Sequence, residues 1–323
     1  MTLKRLAAEL GVSPMTVSNA FNRPDQLSAA LRERILEHAR ERGYPGPDPL
    51  ARGLRRGRAG AIGLISDTPL SYAFADPAAA AVMAGVCAVA EEDGLGLLLL
   101  ARGVLPDAVV DGIVVYSVSE RDPLLAQARG LPTVVIDQPV GTGLPTVGID
   151  DERAARAAAE HLLALGHERF AVVAFGIGDD GRTGLADPAR RRSSPYAVSR
   201  ARLAGYEAAL GAGVPVYECA SSSRAAGRAA AEALLAGPEP PTAILAMSDV
   251  LALGVLDAAD VAVVGFDDIP EAAAAGLTTV RQDHRAKGRA AAGLLLAQLR
   301  GERPQPPALS HELVVRLSSR PAR

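Results

Sequence analysis

Cysteine is scarce in this chain, and the two present, Cys87 and Cys219, stand far apart inside regular stretches. Neither a disulfide framework nor a zinc site has the paired spacing it would need, so both read as structural. Tryptophan is absent while Ala, Leu, Arg and Gly dominate, a bias of GC-rich coding that says little about function. No apolar run reaches the roughly 20 residues that span a bilayer. The opening Met-Thr-Leu-Lys-Arg leads into an amphipathic helix rather than an apolar signal core, so the expected compartment is the cytoplasm. Catalytic signatures are missing too. Gly-x-Ser-x-Gly does not occur, and no Asp, Glu or Cys stands at metal-ligand spacing to His161, His167, His284 or His311, which read as structural. The expectation is a chain without metal, cofactor or enzymatic activity.

What is present begins with an uneven distribution of charge. At 323 residues, 49% of them hydrophobic, the chain is long enough for two core-bearing domains beside a small headpiece. Residues 1–58 carry 11 Lys or Arg against 6 Asp or Glu, a net of +5, whereas the remainder is net −8. Phosphates would be met at the basic end.

Within that end, Leu3, Leu6, Ala7 and Leu10 recur at helical spacing, and Gly11 suits a left-handed helix stop. Ser13 then caps a second helix with Pro14 at its first position. A third runs from Ser28 to Arg42, with Leu31, Ile35 and Ala39 on one face and Gly43 after it. Val17 and Phe21 would pack inward, leaving Pro14, Met15, Thr16, Ser18, Asn19 and Asn22 outward. Three short helices of this kind form a helix-turn-helix headpiece over residues 1–46, and its exposed second helix would enter the major groove. Pro14, Met15 and Asn19 would meet base edges, where Asn pairs bidentately with adenine and Met makes only apolar contact. Thr2, Ser13, Thr16, Ser18, Asn22 and Ser28 suit phosphate oxygens.

Residues 47–59 form a linker. Proline at 45, 47 and 49 prevents a continuous helix, yet Asp48-Pro49 can start one or two marginal turns over Leu50-Ala-Arg-Gly-Leu-Arg-Arg. Arg52, Arg55, Arg56 and Arg58 repel one another unless a polyanion is near, so this segment should order only on DNA.

Taken together, the helix-turn-helix with Thr16-Val17-Ser18, the Asn22-Arg-Pro spacing, Gly43-Tyr44 and Ala51-Arg-Gly-Leu54 resemble the lac-repressor (LacI/GalR) family of bacterial transcription regulators. The resemblance implies a hinge helix, including Ala51, Arg52 and Arg55, that pairs with its dimer mate in the minor groove. Leu54 would be wedged into a base step, at a cost of a few kcal/mol offset by the contacts the kink permits. It further implies a homodimer on a near-palindromic operator.

After residue 60, apolar strand candidates alternate with helical stretches: 61–65, 95–100, 113–116, 133–136, 170–174, 243–246 and 261–264. The fold class is therefore α/β, with parallel sheets wrapped by helices over residues 60–323 and ligand expected between lobes or at strand carboxyl ends. Asp111-Gly-Ile-Val-Val, Glu160-His-Leu, Arg202-Leu-Ala-Gly-Tyr206, Met247-Ser-Asp249, Val264-Gly-Phe-Asp-Asp268 and Leu277-Thr-Thr-Val-Arg-Gln282 resemble the family's effector-binding core, which is similar to the two-lobed periplasmic sugar-binding proteins. Two crossovers are shorter than that pattern, between Leu100 and Asp111 and between Ser248 and Val261.

By this resemblance Arg202, Ser248, Asp267 and Gln282 point into the cleft, with Asp67 ending the first strand. Asp137, Tyr72 and Phe74 are first-lobe candidates, an aromatic ring stacking on a sugar face. A carboxylate accepting from adjacent hydroxyls and an Arg fork donating to ring oxygens suit a polyhydroxylated small effector, a sugar or nucleoside. The alternative is that Arg202 and Asp267 pair with each other or cap helices. Gly176-Ile-Gly178-Asp-Asp-Gly181 matches a dinucleotide fingerprint, but Asp179 and Asp180 would repel a pyrophosphate; the loop over 176–199 instead covers the cleft or stays mobile. The function implied is a repressor whose operator affinity an effector modulates. Two rival readings lack DNA binding: a solute-binding protein and a cytoplasmic α/β enzyme.

Overall fold

A computed structural model describes residues 1–46, 58–66, 69–100, 105, 109–128 and 130–322. The chain separates into two units, Met1–Gly60 and Ala61–Arg323. Ala51, Arg52, Leu54 and Arg55 of the expected hinge, Asp67, and most of the crossover before Asp111 lie outside the described residues.

In the first unit, α1 (Leu3–Leu10), α2 (Pro14–Asn22) and α3 (Ala29–Glu41) enclose a core of Leu6, Ala7, Val17, Ala20, Ile35 and Ala39. Gly11 ends α1 with φ 64°, a left-handed conformation that costs glycine nothing. Thr2, Ser13 and Ser28 each cap the following helix, accepting from Arg5 N at 3.3 Å, Thr16 N at 3.0 Å and Leu31 N at 3.4 Å. Phe21 is half-buried and meets Tyr44 edge-on, the ring centroids 6.0 Å apart.

The second unit opens with β1 (Ala61–Ser66), α4 (Leu70–Ala75), α5 (Pro77–Glu92), β2 (Gly96–Leu100), β3 (Gly112–Tyr116), α6 (Leu124–Gln127), β4 (Thr133–Ile136) and β5 (Thr146–Val147). These strands make a parallel sheet of order β2-β1-β3-β4-β5. The chain then crosses to a second lobe through α7 (Asp151–Ala164), followed by β6 (Phe170–Ala174), β7 (Gly184–Leu185), α8 (Pro188–Arg192), α9 (Ala197–Leu210), β8 (Val216–Glu218), α10 (Arg224–Leu235), β9 (Ala243–Ala246), α11 (Asp249–Ala258), β10 (Ala262–Asp267), α12 (Pro270–Ala274) and β11 (Thr278–Gln282). It returns to the first lobe with α13 (His284–Leu299), which packs on α5 and the first sheet, and crosses once more to β12 (His311–Val314). The second sheet runs β12-β11-β10-β9-β6-β8-β7, with only β12 and β7 antiparallel to their neighbours. As the sequence implied, three residues join α11 to β10.

Strand interiors are apolar on both faces because helices cover both. Ile113, Val114 and Val115 of β3, and all of β4 and β9, are buried. The helices approach so closely that glycine is required at the crossings. A Cβ on Gly85 of α5 would lie 2.2 Å from Arg285 O of α13, and one on Gly288 would lie 2.1 Å from Val82 O. Gly205 plays this part between α9 and α7, and Gly227 and Gly254 between α10 and α11. Gly288→Ala must push α13 off α5, so urea unfolding should show a loss of about 1–3 kcal/mol, the usual range for overpacking; unchanged stability would mean that the helices part without strain.

Candidate functional site

The carboxyl ends of the two sheets face each other across a cavity of about 490 Å³. It brings together Tyr72, Asp137, Arg202, Ser248, Asp267 and Gln282. Phe74 does not join them. Helical rotation places it away from Tyr72 on α4, and it is 63% exposed, so the expected stacking role for Phe74 is corrected.

Backbone strain gathers at the same place. Among the described residues, the non-glycine ones with positive φ are Ser117 at 54°, Asp137 at 63°, Asp267 at 124° and Asp268 at 57°, all at or just beyond the carboxyl ends of β3, β4 and β10. The first three line the cavity. Such conformations cost on the order of 1–3 kcal/mol each and collect where a site over-determines them.

Arg202 projects from α9 at 5% exposure. Its partner is Asp151, the first residue of α7, through Nε at 2.8 Å, and not Asp267. A second nitrogen donates to Met247 O, and the guanidinium lies 3.5 Å over the Phe266 ring. Burial raises the Asp151 carboxyl above its ordinary range even though Arg202 opposes the shift. Asp137 forms an ion pair with Lys287, a fully buried lysine of α13. Asp267 accepts from Gln282 Nε2 at 2.7 Å, and His284 Nε2 stands 3.3 Å away without hydrogen-bond alignment. Burial opposes ionisation of Asp267, but His284, Arg202 and Gln282 outweigh it and hold the carboxyl below its usual range.

Contacts across the lobes frame these groups. Tyr72 donates to Ser222 O, and Ser222 Oγ is 2.8 Å from Ser248 Oγ, while Ser248 caps α11. The start of α9 has no cap of its own; Gln138 of the first lobe accepts from Val198 N at 2.9 Å. The loop over 176–199, expected either to cover the cleft or to stay mobile, is built into the second lobe and lines the cavity with Gly176, Gly178, Tyr196 and Val198. Glu218 accepts from the backbone of Ile177 and Gly178 and pairs with Arg190, which also grips Asp180.

Sequence reasoning missed Asp76, Gln138, Asp151, His284 and Lys287. His284 read as structural, yet its ring lines the cavity. Asp76 caps α5, accepting from Ala78 N at 3.0 Å. Of the other histidines, His161 bonds Ser319, and His167 bonds Thr242 and Arg320 O. Among the described residues no three His, Cys, Asp or Glu are grouped to hold a metal, and no helix is long and apolar enough to cross a membrane.

In the headpiece, Pro14 and Met15 are exposed, Met15 at 69%, and Thr16, Ser18, Asn19 and Asn22 are half-buried. Asn19 donates to Gln26 Oε1 at 3.1 Å and Asn22 to Ser18 O at 2.9 Å. Gln26, on a 3-10 turn over Pro24–Gln26, therefore orients Asn19.

Asp249 lies behind the cavity wall, accepting from Thr279 Oγ1 and Ile269 N. It explains Gly265, where a Cβ would fall 2.2 Å from the carboxylate. Burial, with Asp267 adding to it, pushes Asp249 up to about 7. Because the folded value exceeds the unfolded one, the stability it contributes is complete below pH about 4 and declines as pH rises towards 7. Chemical denaturation of Asp249→Asn across that range should lack this part of the slope; an identical slope in both proteins would rule out titration of Asp249 as its source.

Residues 2–46 match bacterial regulatory proteins of the lacI family, and residues 159–319 match the periplasmic binding protein-like domain. The HTH-type transcriptional regulator Rv3575c of Mycobacterium tuberculosis is 44% identical over 341 residues, covering 97% of this chain and 95% of that protein. Among solved structures, a LacI-family regulator from Corynebacterium glutamicum shares 33% identity over 98% of both chains with a TM-score of 0.74. The CelR–cellobiose complex shares 29% over 98% of this chain and 99% of that one, with a TM-score of 0.68. A basic helix-turn-helix headpiece, a two-lobed core and likeness along nearly the whole length agree: the chain belongs to the lacI family of bacterial transcriptional regulators.

Proposed function

We propose that this chain acts as a homodimeric repressor whose grip on a near-palindromic operator is set by a polyhydroxylated effector, a sugar or nucleoside, seated in the cavity of the core. The convergence of Arg202, Asp267 and Gln282 at facing strand ends carries this reading. A volume of about 490 Å³ suits a mono- or disaccharide-sized ligand. Gln282 Oε1 and both ring nitrogens of His284 are buried without hydrogen-bond partners, which favours a ligand that supplies them. The cellobiose bound by the similar CelR supports the sugar class.

On the DNA side, Pro14, Met15 and Asn19 read base edges while Thr2, Ser13, Thr16, Ser18, Asn22 and Ser28 hold phosphates. The helix-capping hydroxyls sit where backbone N–H groups and the helix dipole already favour an anion. Leu54 is the minor-groove wedge, flanked by Ala51, Arg52 and Arg55. An effector that binds one lobe orientation better shifts that equilibrium by the difference in its affinities, and the two hinges of the dimer then meet or part.

Selection of sites from random duplexes, repeated with pooled metabolites, tests both halves of the reading; a purified chain that enriches no sequence at low salt defeats it. Leu54→Ala should weaken specific binding at least tenfold, about 1.4 kcal/mol, and leave the dimer intact. Asp267→Ala should abolish the metabolite response with DNA affinity retained. Neutralising Arg52 and Arg55 should flatten the dependence of log affinity on log salt, by close to one unit per lost phosphate contact.

A further inference from the structure

The charges around the cavity do not balance. Arg202 is matched by Asp151 and Asp137 by Lys287. Asp267, at the end of β10, has His284 Nε2 3.3 Å away, whereas Asp76, at the head of α5 on the other lobe, has no ion-pair partner among the described residues. Burial, with the charge of Asp267 adding to it, raises the Asp76 carboxyl above its ordinary range although His284 opposes the shift.

Unsatisfied groups lie beside Asp267. Gln282 is 5% exposed with its Oε1 unpartnered, and His284, 9% exposed beside Asp267, has two unpartnered ring nitrogens. The two carboxylates and Gln282 Oε1 are acceptors at this end of the cavity, beside at least one ring N–H donor of His284. Hydroxyl groups supply donors. A phosphate monoester brings acceptor oxygens and a charge of about −1.5 to −2.

We propose that Asp76 is a specificity-determining residue of this cleft: facing Asp267 across the lobes, it receives hydroxyl donors of a neutral polyol and turns away phosphorylated or carboxylated forms of the same compound. This rests on the reading of the cavity as an effector site. Asp76 is suited to the part because its Oδ1 already caps α5, which fixes the side chain, and a carboxylate has further lone pairs for an incoming hydroxyl. Its place on the first lobe, opposite a second-lobe acid, makes a bridging hydroxyl pair a link between lobes as well as a contact.

The test is calorimetric titration of the full chain with D-glucose, D-ribose, D-mannitol, myo-inositol and cellobiose, beside glucose 6-phosphate and ribose 5-phosphate, repeated on Asp76→Asn, which keeps a capping oxygen. The wild type should bind at least one neutral compound and bind the phosphates at least tenfold more weakly. Asp76→Asn should lose about tenfold in neutral affinity and narrow the gap to the phosphates, a ratio that a purely structural cap would not move. Phosphates bound as well as neutral compounds, or a variant with an unchanged ratio, would overturn the assignment while leaving the effector site standing. No neutral binding by the wild type would instead overturn the sugar reading, and this proposal with it.

Discussion

The buried ion pair of Arg202 and Asp151, seated on the Phe266 ring, is the contact around which the second lobe is arranged. Two charges withdrawn from water are tolerable only when each is matched and hydrogen-bonded. That requirement accounts for Asp151 at the start of α7, for Met247 O turned towards the guanidinium, and for the aromatic residue that precedes Asp267 on β10. Lys287 and Asp137 solve the same problem on the first lobe, where α13 carries the ammonium to the strained end of β4.

Parallel sheets make this economy possible. All strands of the first sheet and the inner strands of the second run the same way, so their carboxyl ends gather polar side chains at one mouth while the layers behind stay apolar. Close helix packing through Gly85, Gly288, Gly205, Gly227 and Gly254 holds those layers stiffly, which lets strained residues such as Asp137 and Asp267 persist. Side chains from each lobe reach the other. Gln138 completes the start of a helix on the other lobe, Tyr72 reaches the Ser222 carbonyl, and Arg200 pairs with Glu120 at 2.6 Å. A ligand that strengthens or strains these contacts gains leverage on lobe orientation.

Much of the architecture was legible in order of length. Runs such as Ile113–Tyr116 and Thr133–Ile136 are apolar because both faces are covered, and they stand out without any partner in view. The two-residue β5 and β7 and the three-residue β8 carry no period of their own; they exist because a neighbouring strand offers hydrogen bonds. Within the site, Arg202, Asp267 and Gln282 were legible through motifs. Phe74 was misplaced because a stretch as short as Leu70–Ala75 does not announce which way a helix will turn.

The sequence by itself determined the kind of protein this is: a cationic three-helix head with capped helices, joined to a doubly layered α/β body. Caps, apolar periods and charge distribution are local properties that each segment carries wherever it lies. Only the tertiary structure decided that Arg202 pairs with Asp151 rather than Asp267, that Lys287 crosses to Asp137, and that Asp76 and His284 face the cavity. Those outcomes depend on which carboxylate lies within about 3 Å of which cation after desolvation, and that distance is set by strands and helices far apart along the chain.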